Sequence, residues 1–492
     1  MAKSSGHFAP EQATMDAHSM PHPILRRLDA LLLVVLTLAR LRIDTLAEAA
    51  VLPFRQNDVA RHPWLGRLLS PQAMELLAQQ QLVDPIGLLL IVAALACLLG
   101  YLLVEEWVRP DRTRYRLKLA LIWAIIVLTV FASAGKLILL RQGSGPASYA
   151  HDGGVIQTEA AVSFLLQGRN PYVEDYLNTP MAEWGISEFR TALYHFPYLP
   201  WTFLFSAPFQ WLANHTGGWY DQRLVYLLLF ALTLLLLPAL AQGHQAKLLL
   251  VALIGLNPIM GSDLIYGQND SFVLAWIVLA LWLWVQGQRR GAGRGWTWGS
   301  AAAFGLACAS KPTAWFLAPF YLLLLAGQDA SELWRRPEAW FRRAARMGWP
   351  ALAAAGLLIG PFLLWDPAAM FDDVWRWASG TSTTAYQIWG WGASNLVLAL
   401  GWASSRFAYW PFWVPQVVVG VPLLVALLRR QARENTVGQA LWGYGVFLLI
   451  FLFFSRFLNE NYLGYVLALF VLGTLVDGTL VDKDYQTAQV SP

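Results

Sequence analysis

The chain has 492 residues, of which 57% are hydrophobic and only 13% are charged, with 35 Lys and Arg against 31 Asp and Glu. Soluble globular chains carry about 25% charged residues, so this composition excludes a disordered chain, a disulfide scaffold and a cytosolic multidomain enzyme. At about 20 residues per span, the apolar residues suffice for at most roughly fourteen membrane helices. The composition predicts an all-α, polytopic membrane protein, and the net charge of +4 gives no reason to expect a nucleic-acid partner.

The apolar runs, taken in chain order, predict about 11–13 membrane helices. A weak run at 31–50 indicates a retained first helix or an interfacial one. The run 196–213 contains three prolines, and an interrupted helix is costly in lipid, so we expect a half-buried juxtamembrane segment there. We expect the same of 386–402, because the number of spans between two cytoplasmic loops must be even. The remaining runs lie near 86–107, 117–140, 222–241, 247–265, 271–287, 298–310, 313–327, 348–365, 409–428, 438–455 and 461–477.

Charge fixes the expected topology. Short loops rich in Lys and Arg face the cytoplasm, which places the four basic loops inside. The long segment 142–221 carries only Arg169 and Arg190 as Lys or Arg residues and is predicted to face the periplasm or exterior. An even number of spans between cytoplasmic loops places 263–270, Lys311, 366–408 and 456–461 on the same side. The basic loops are 109–118, 288–297, 334–346 and 429–433.

The first candidate site is His151-Asp152-Gly153-Gly154. A carboxylate just beyond a membrane helix is well placed as a general base, because deprotonating a hydroxyl requires a carboxylate within hydrogen-bond reach. The alternative is that Asp152 caps the helix that starts near Val155.

The second candidate site is the turn after Asn257-Pro258, in which Tyr266, Gln268, Asn269 and Asp270 are predicted to bind substrate. Side chains with amide and carboxylate groups are suited to recognising sugar hydroxyls. The alternative is a polar turn between helices, with Asp270 as an N-cap.

The third candidate set consists of isolated cations, Arg223, Lys311 and Arg456, which could neutralise the charge that develops on a phosphate leaving group. The alternative is snorkelling to the headgroup region. Lys311 has apolar flanks on both sides, at the tip of a predicted hairpin. Glu460, close to Arg456 in the sequence, is a candidate partner for one of these cations.

Aromatic residues crowd the predicted outer segment 365–391. Most are expected to form an interfacial belt, and a minority could stack on a sugar or line a groove for an isoprenoid chain. No Walker loop, CxxC or HExxH motif is present, so the sequence assigns no metal ligands and indicates no cofactor, although a divalent cation is compatible with it.

The order of these motifs resembles the GT-C superfamily of integral-membrane glycosyltransferases. It runs from Asp152 through Gly168-Arg169-Asn170-Pro171-Tyr172, Tyr194-His195-Phe196-Pro197-Tyr198, Asn257-Pro258 and Tyr266–Asp270 to Lys311-Pro312 and Asn459-Glu460-Asn461-Tyr462. The chain is most similar to bacterial family eighty-seven and related polyprenol-phosphate-mannose-dependent mannosyltransferases, over about residues 117–477. Many relatives carry paired acidic residues in the first loop, whereas here His151 precedes Asp152 and glycines follow it.

The resemblance implies an inverting transfer of a sugar, most simply mannose, from a polyprenyl-phosphate donor to a lipid-linked or glycan acceptor in the bilayer. Asp152 would be the base; His151, His195, Glu460 and the 266–270 turn would contact substrate; Lys311, Arg223 and Arg456 would hold the donor phosphate. The enzyme would be a multi-pass protein of the bacterial inner membrane with its site facing the periplasm. The expected division is an N-terminal part (1–116), a catalytic membrane module (117–327) and C-terminal membrane helices (328–492).

Two alternatives stay open at this point. A lipid-linked sugar flippase would need a polar path across the whole membrane, and the cytoplasmic halves of these helices are almost uniformly apolar. An O-antigen ligase or polymerase shares the chemistry but would be expected to carry a larger outer loop with more arginines.

Overall fold

The computed structural model describes residues 27–49, 52–80, 82–184, 190–291, 293–327 and 336–476. Helices dominate these residues, and strand pairing within them is limited to a two-residue parallel ladder between Trp389–Gly390 and Phe457–Leu458. This confirms the predicted all-α polytopic class. The polar tail before Arg27, Arg335 of the third basic loop and the chain after residue 476 lie outside the described residues.

Five helices in the described ranges are long and apolar enough to cross a membrane: Pro85–Trp107, Asp111–Ser144, Asp270–Arg289, Pro337–Trp365 and Trp413–Arg433. A sixth span results if His244–Gly255 and Pro258–Tyr266, bent by 47°, are counted together. Shorter apolar helices cover Arg223–Ala239, Pro312–Ala326, Val437–Phe453 and Glu460–Leu475. Full-length spans are thus fewer than the 11–13 helices expected, because several apolar runs fold as helices of 17 residues or fewer.

The weak first run and the two segments predicted not to span form shorter or less apolar elements. The weak first run is the helix Leu28–Ala49, which packs against Pro85–Trp107 and His244–Gly255. The proline-rich run is Trp201–Thr216, which contains Pro208 and packs on Gln157–Leu166. The run 386–402 forms the strand Trp389–Gly390 and the helix Ser394–Ala399. The other elements are Leu52–Arg61, Leu65–Arg67, Pro71–Ala78, Asp152–Ile156, Pro180–Glu183, Arg190–Tyr194, Arg294–Cys308, Pro367–Phe371, Asp372–Arg376 and Trp377–Ser379.

Burial separates a central helix from peripheral ones. The apolar stretch of Asp270–Arg289 is 72% buried inside the protein, against 17% for Pro337–Trp365 and 6% for Trp413–Arg433. The two peripheral helices therefore present apolar side chains outward, which costs little only where lipid replaces water. Asp270–Arg289 is the most buried of the five long helices and packs mainly on Arg294–Cys308 and Arg223–Leu236.

Charges are segregated along individual helices. Asp270–Arg289 begins with an acidic residue and ends at Arg289. The next helix begins at Arg294 and leads to Lys311 at its other end. Both helices thus place their arginines at one end and the candidate site residues at the opposite end.

Candidate functional site

The polar turn 266–270 follows a helix that is bent by 47° at Asn257-Pro258. The Asn257 side chain accepts hydrogen bonds from the backbone N–H groups of Ile259 (3.2 Å) and Met260 (3.1 Å), and Pro258 follows at the first helical position. An Asn cap followed by proline starts a new helix in a new direction. The second half ends at Gly267 (φ 93°), and the next helix begins at Asp270.

His151 joins the outer loop to this turn. Its backbone N–H donates to the Tyr266 carbonyl (2.7 Å), and the Gln268 amide lies 2.7 Å from His151 Nε2. Because an amide nitrogen only donates, Nε2 accepts and the ring proton lies on Nδ1. That nitrogen is 2.6 Å from Asp152 Oδ1, in close contact but not aligned for a hydrogen bond.

The surroundings of Asp152 favour its ionised form. Burial acts to raise its pKa, but the imidazole of His151 and backbone N–H groups outweigh that cost, so the pKa lies below the usual Asp value. Its side chain is 22% exposed. Asp152 is therefore an ionised and accessible carboxylate, as a general base requires.

The two glycines after Asp152 permit a close approach of backbones. A Cβ on Gly154 would lie 1.9 Å from the Gly267 carbonyl oxygen, and the hydroxyl of Tyr226 donates to the Gly154 carbonyl (2.5 Å). A Cβ on Gly153 would lie 2.7 Å from the Tyr198 hydroxyl. The glycines thus bring Asp152 against the 266–270 turn.

Lys311 lies on the other side of this turn, within a buried polar cluster. Its Nζ is 2.6 Å from Asp270 Oδ1 and 3.2 Å from Asn269 Oδ1. Asn461 donates from Nδ2 to the second oxygen of Asp270. The Tyr462 ring lies 4.8 Å from Nζ. An ammonium has three donors, so two protein acceptors leave one N–H for a further partner.

Tyr198 connects the two halves of the site. Its hydroxyl lies beside Gly153, and its ring centre is 5.8 Å from Lys311 Nζ. Backbone N–H groups of Leu199 and Trp201 donate to the carbonyls of Ser310 (3.1 Å) and Ala309 (2.9 Å), which fixes Tyr198 next to Lys311. The structure therefore brings Asp152, the 266–270 turn and Lys311 around Tyr198.

The prediction that Arg223 binds a phosphate is not supported by its environment. The guanidinium is fully buried and donates to both oxygens of Asp221 (2.9 and 2.7 Å) and to the carbonyls of Tyr149 (2.7 Å) and Ile265 (3.0 Å). Arg223 instead holds the outer loop to the helix that precedes Tyr266. The sequence shows Arg223 as an isolated cation and does not reveal that Asp221 folds back onto it.

Arg456 is likewise directed at the protein. It is 2% exposed and donates to the carbonyls of Tyr386 (2.6 Å), Ala408 (2.9 Å) and Arg406 (3.3 Å). Burial lowers its pKa to about 10. The residue holds the aromatic outer segment against the loop that precedes Glu460, so its predicted contact with phosphate is not supported.

His195 and Glu460 were both predicted to contact substrate, but His195 is buried and Glu460 is exposed. His195 is 4% exposed, with Nδ1 2.8 Å from Asp373 Oδ1 and Nε2 2.5 Å from Thr384 Oγ1. Both ring nitrogens thus contact the protein rather than open space. Glu460 is exposed at the start of the last helix, and its neighbour Asn461 makes the contact with Asp270.

The aromatic outer segment divides into exposed and buried residues. Trp365, Trp375, Trp389 and Trp391 are between 45% and 66% exposed, whereas Trp377 is buried and packs on Tyr386 with ring centres 4.6 Å apart. The exposed set fits the interfacial belt expected from the sequence.

Sequence reasoning missed three residues of the site: Tyr198, Asn461 and Tyr462. All three belong to motifs noted in the sequence, Tyr194–Tyr198 and Asn459–Tyr462. In each motif the residue predicted to contact substrate was the His or charged one, His195 or Glu460. Tyr172, in the predicted turn at 168–172, donates from its hydroxyl to the Tyr198 carbonyl (2.7 Å). That motif thus supports the site indirectly.

Fold and site together define a multi-pass helical membrane protein whose polar groups gather at one set of helix ends. Residues 160–327 match the family model described as alpha-(1->6)-mannopyranosyltransferase, N-terminal domain. The match confirms the resemblance to GT-C mannosyltransferases and makes the protein a glycosyltransferase of the mannosyltransferase type.

The matched segment contains the 266–270 turn and Lys311, whereas Asp152 and Arg456 lie outside it. It falls within the predicted module 117–327, and the division into domains remains a prediction. No curated protein matches the chain, and no solved structure matches it.

Proposed function

We propose that this mannosyltransferase moves mannose from a polyprenyl-phosphate donor to a hydroxyl of a lipid-linked or glycan acceptor, with Asp152 as general base. The observation that carries the proposal is the position of Tyr198, which has Gly153, next to Asp152, on one side and Lys311 on the other. Transfer from a phosphate leaving group needs a base on one side of the reacting atoms and a cation on the other.

In the proposed reaction the acceptor oxygen attacks C1 of mannose and its proton passes to Asp152. The bond between C1 and the phosphate oxygen breaks, and polyprenyl phosphate leaves with one additional negative charge. The remaining N–H of Lys311 donates to that phosphate. Asp270 and Asn269 hold the ammonium in place, so little reorganisation is needed when charge develops.

The family description suggests that the bond formed is α-(1→6), so the acceptor would be the 6-hydroxyl of a mannose residue. A single displacement inverts the configuration at C1, and an α product therefore calls for a β-linked donor. Gln268 holds His151 in the tautomer that faces Asp152. In this proposal Tyr266, Asn269 and Glu460 contact substrate, while Arg223, Arg456 and His195 hold the surrounding segments in place.

The proposed orientation places the site at the outer face of a bacterial inner membrane. The supporting observation is that Arg289 and Arg294 lie at the helix ends opposite Asp270 and Lys311, since arginine-rich short loops stay in the cytoplasm. A thiol-reactive, membrane-impermeant label on Cys introduced at exposed Asp175, in intact cells, tests this assignment.

The decisive experiment is transfer in vitro by the purified chain from a panel of polyprenyl-phosphate sugars. We expect turnover with the mannose donor and a loss of about 10²–10⁴-fold in Asp152→Asn. Asp175→Asn is the matched control, because Asp175 is an exposed carboxylate in the same outer loop. Full activity in Asp152→Asn, or transfer only from a nucleotide sugar, would overturn the proposal.

A further inference from the structure

A second cluster of chemically capable groups lies beside the site, where the outer loop meets the segment after Pro337–Trp365. His195, Asp372 and Asp373 each offer one ligand atom, and these atoms lie within 4.8 Å of one another. His195 Nδ1 is 2.8 Å from Asp373 Oδ1 and 3.7 Å from Asp372 Oδ2. Ligands about 2.0–2.2 Å from a shared metal ion are separated by distances of this order.

Groups outside the cluster orient all three side chains. Thr384 Oγ1 lies 2.5 Å from His195 Nε2, the backbone N–H of Phe196 donates to Asp373 Oδ2 (2.8 Å), and the Ser382 hydroxyl donates to Asp372 Oδ2 (3.0 Å). Metal-binding His and carboxylate groups characteristically have such outer partners, which fix ring orientation and tautomer.

The contacts of His195 allow a tautomer that leaves Nδ1 free to hold a cation, because the Thr384 hydroxyl can accept as well as donate. If Nε2 carries the proton and donates to Thr384, the lone pair of Nδ1 faces the Asp373 carboxylate at 2.8 Å. Two lone pairs at that distance repel each other unless a positive charge lies between them. The groups that can supply it are a proton on His195 or a metal ion.

Burial and charge favour the metal ion. Asp373 is 3% exposed, and the ion pair recorded for it among the described residues is with His195. Arg376 pairs instead with Asp372, at 3.3 Å, and is about half exposed. Buried carboxylates are normally paired with a cation or coordinate a metal. The side chain of Asp372 is 28% exposed, which leaves a path for an ion and for water ligands.

We propose that His195, Asp372 and Asp373 bind one divalent cation of the zinc or manganese class. One imidazole nitrogen with two carboxylate oxygens suits these ions. The two parts of the site come from segments 177–178 residues apart, so the ion fastens the outer loop to residues 372–384. Its role is structural, because none of its ligands belongs to the groups around Lys311, and the proposal stands independently of the transferase mechanism.

The test uses the full chain, purified without a histidine tag, stripped with a chelator and titrated with Zn²⁺ and with Mn²⁺. We expect one equivalent of bound metal by elemental analysis, and a melting temperature that rises with metal concentration because the ion binds the folded state. Asp372→Asn is expected to weaken binding at least tenfold, and Thr384→Val by about 10–100-fold as an outer-partner change.

Asp366→Asn is the matched control. Asp366 precedes the cluster by six positions and caps the helix Pro367–Phe371, and Asn caps equally well, so metal binding should be unchanged. Because Asp372 is partly exposed, its variant should fold even if changes at buried Asp373 do not. The proposal is overturned if the wild-type chain binds no stoichiometric metal, or if Asp372→Asn binds it as tightly as wild type does.

Discussion

Lys311 Nζ and Asp270 Oδ1 lie 2.6 Å apart, although 41 residues separate them in the chain. Both side chains are largely buried, at 8% and 2% exposure. The pair joins the start of the central helix to the break before Pro312, and it thereby sets the spacing between the polar turn and the candidate phosphate ligand.

This ion pair predicts a strong dependence of stability on both partners. Lys311→Met should cost about 3–5 kcal/mol, because it leaves the Asp270 carboxylate buried without its cation. Adding Asp270→Asn should restore most of that loss, since the uncompensated charge is removed. Melting temperatures of the two single variants and the double variant in detergent measure the coupling. Additive losses would show that the pair is not energetically coupled.

Activity separates the structural role of Lys311 from its proposed role with phosphate. In the Lys311→Met, Asp270→Asn double variant we expect restored folding but no recovery of mannose transfer, because no ammonium is left to bind the donor. Single-turnover transfer from polyprenyl-phosphate mannose is the measurement. Recovery of the wild-type rate in this variant would rule out a phosphate contact by Lys311.

The acid side of the pH–rate profile reports on His151. The imidazole lowers the pKa of Asp152 while burial acts to raise it, so His151→Ala should move this pKa upward. A smaller fraction of Asp152 is then ionised at a given acidic pH, and the acid limb of kcat/KM should shift to higher pH. Tyr194→Phe, an exposed position in the same outer loop, should leave the limb in place. If the acid limb does not shift in His151→Ala, the group that titrates on that limb is not Asp152.

Two tyrosine hydroxyls should behave differently. Tyr198→Phe removes a hydroxyl for which the described residues provide no hydrogen-bond partner, so we expect unchanged stability and a severalfold lower kcat/KM. Tyr226→Phe removes the bond to the Gly154 carbonyl and should cost about 0.5–1.5 kcal/mol or more. Melting temperature and transfer rate, measured on both variants, test the contrast. Equal effects on stability would contradict it.

Gly154 should tolerate no side chain. A Cβ there would lie 1.9 Å from the Gly267 carbonyl oxygen, which is backbone and cannot turn away, so Gly154→Ala should destabilise the protein by about 1–3 kcal/mol or more. Gly135, inside the helix Ala132–Ser144, has no atom within 4 Å of its Cβ position. Gly135→Ala should therefore be neutral or stabilising. Equal melting temperatures for the two variants would contradict this packing argument.

Much of the fold was predictable because lipid imposes simple rules on a sequence. Apolar runs and basic loops predicted the long helices, and three prolines predicted that 196–213 does not span. Among the described residues, five or six helices are full-length spans against the 11–13 membrane helices expected, because several apolar runs fold as shorter helices. The run 247–265 bends at Asn257-Pro258, where the sequence predicts a turn. That bend depends on the Asn257 cap and on the Asn257 amide, which donates to the Gly464 carbonyl (2.8 Å).

The candidate site was predictable in part. Asp152, the 266–270 turn and Lys311 are polar groups in an apolar chain, and such groups are functional candidates by default. Arg223 and Arg456 satisfied the same criterion, yet their donors are used by Asp221 and by backbone carbonyls. A sequence shows that a cation is isolated along the chain, but not whether a distant segment folds onto it.

The sequence alone determined that this protein is a helical membrane protein, because composition and charge placement are properties of the linear chain. It indicated the mannosyltransferase type through the resemblance of its motif order to a known family. Tertiary structure decided which polar groups meet. Tyr198, Asn461 and Tyr462 join Lys311 from segments far apart in the chain, and His195 meets Asp373 across 178 residues. The physical reason is that hydrogen bonds and ion pairs act over a few ångströms in space, whatever the separation along the chain.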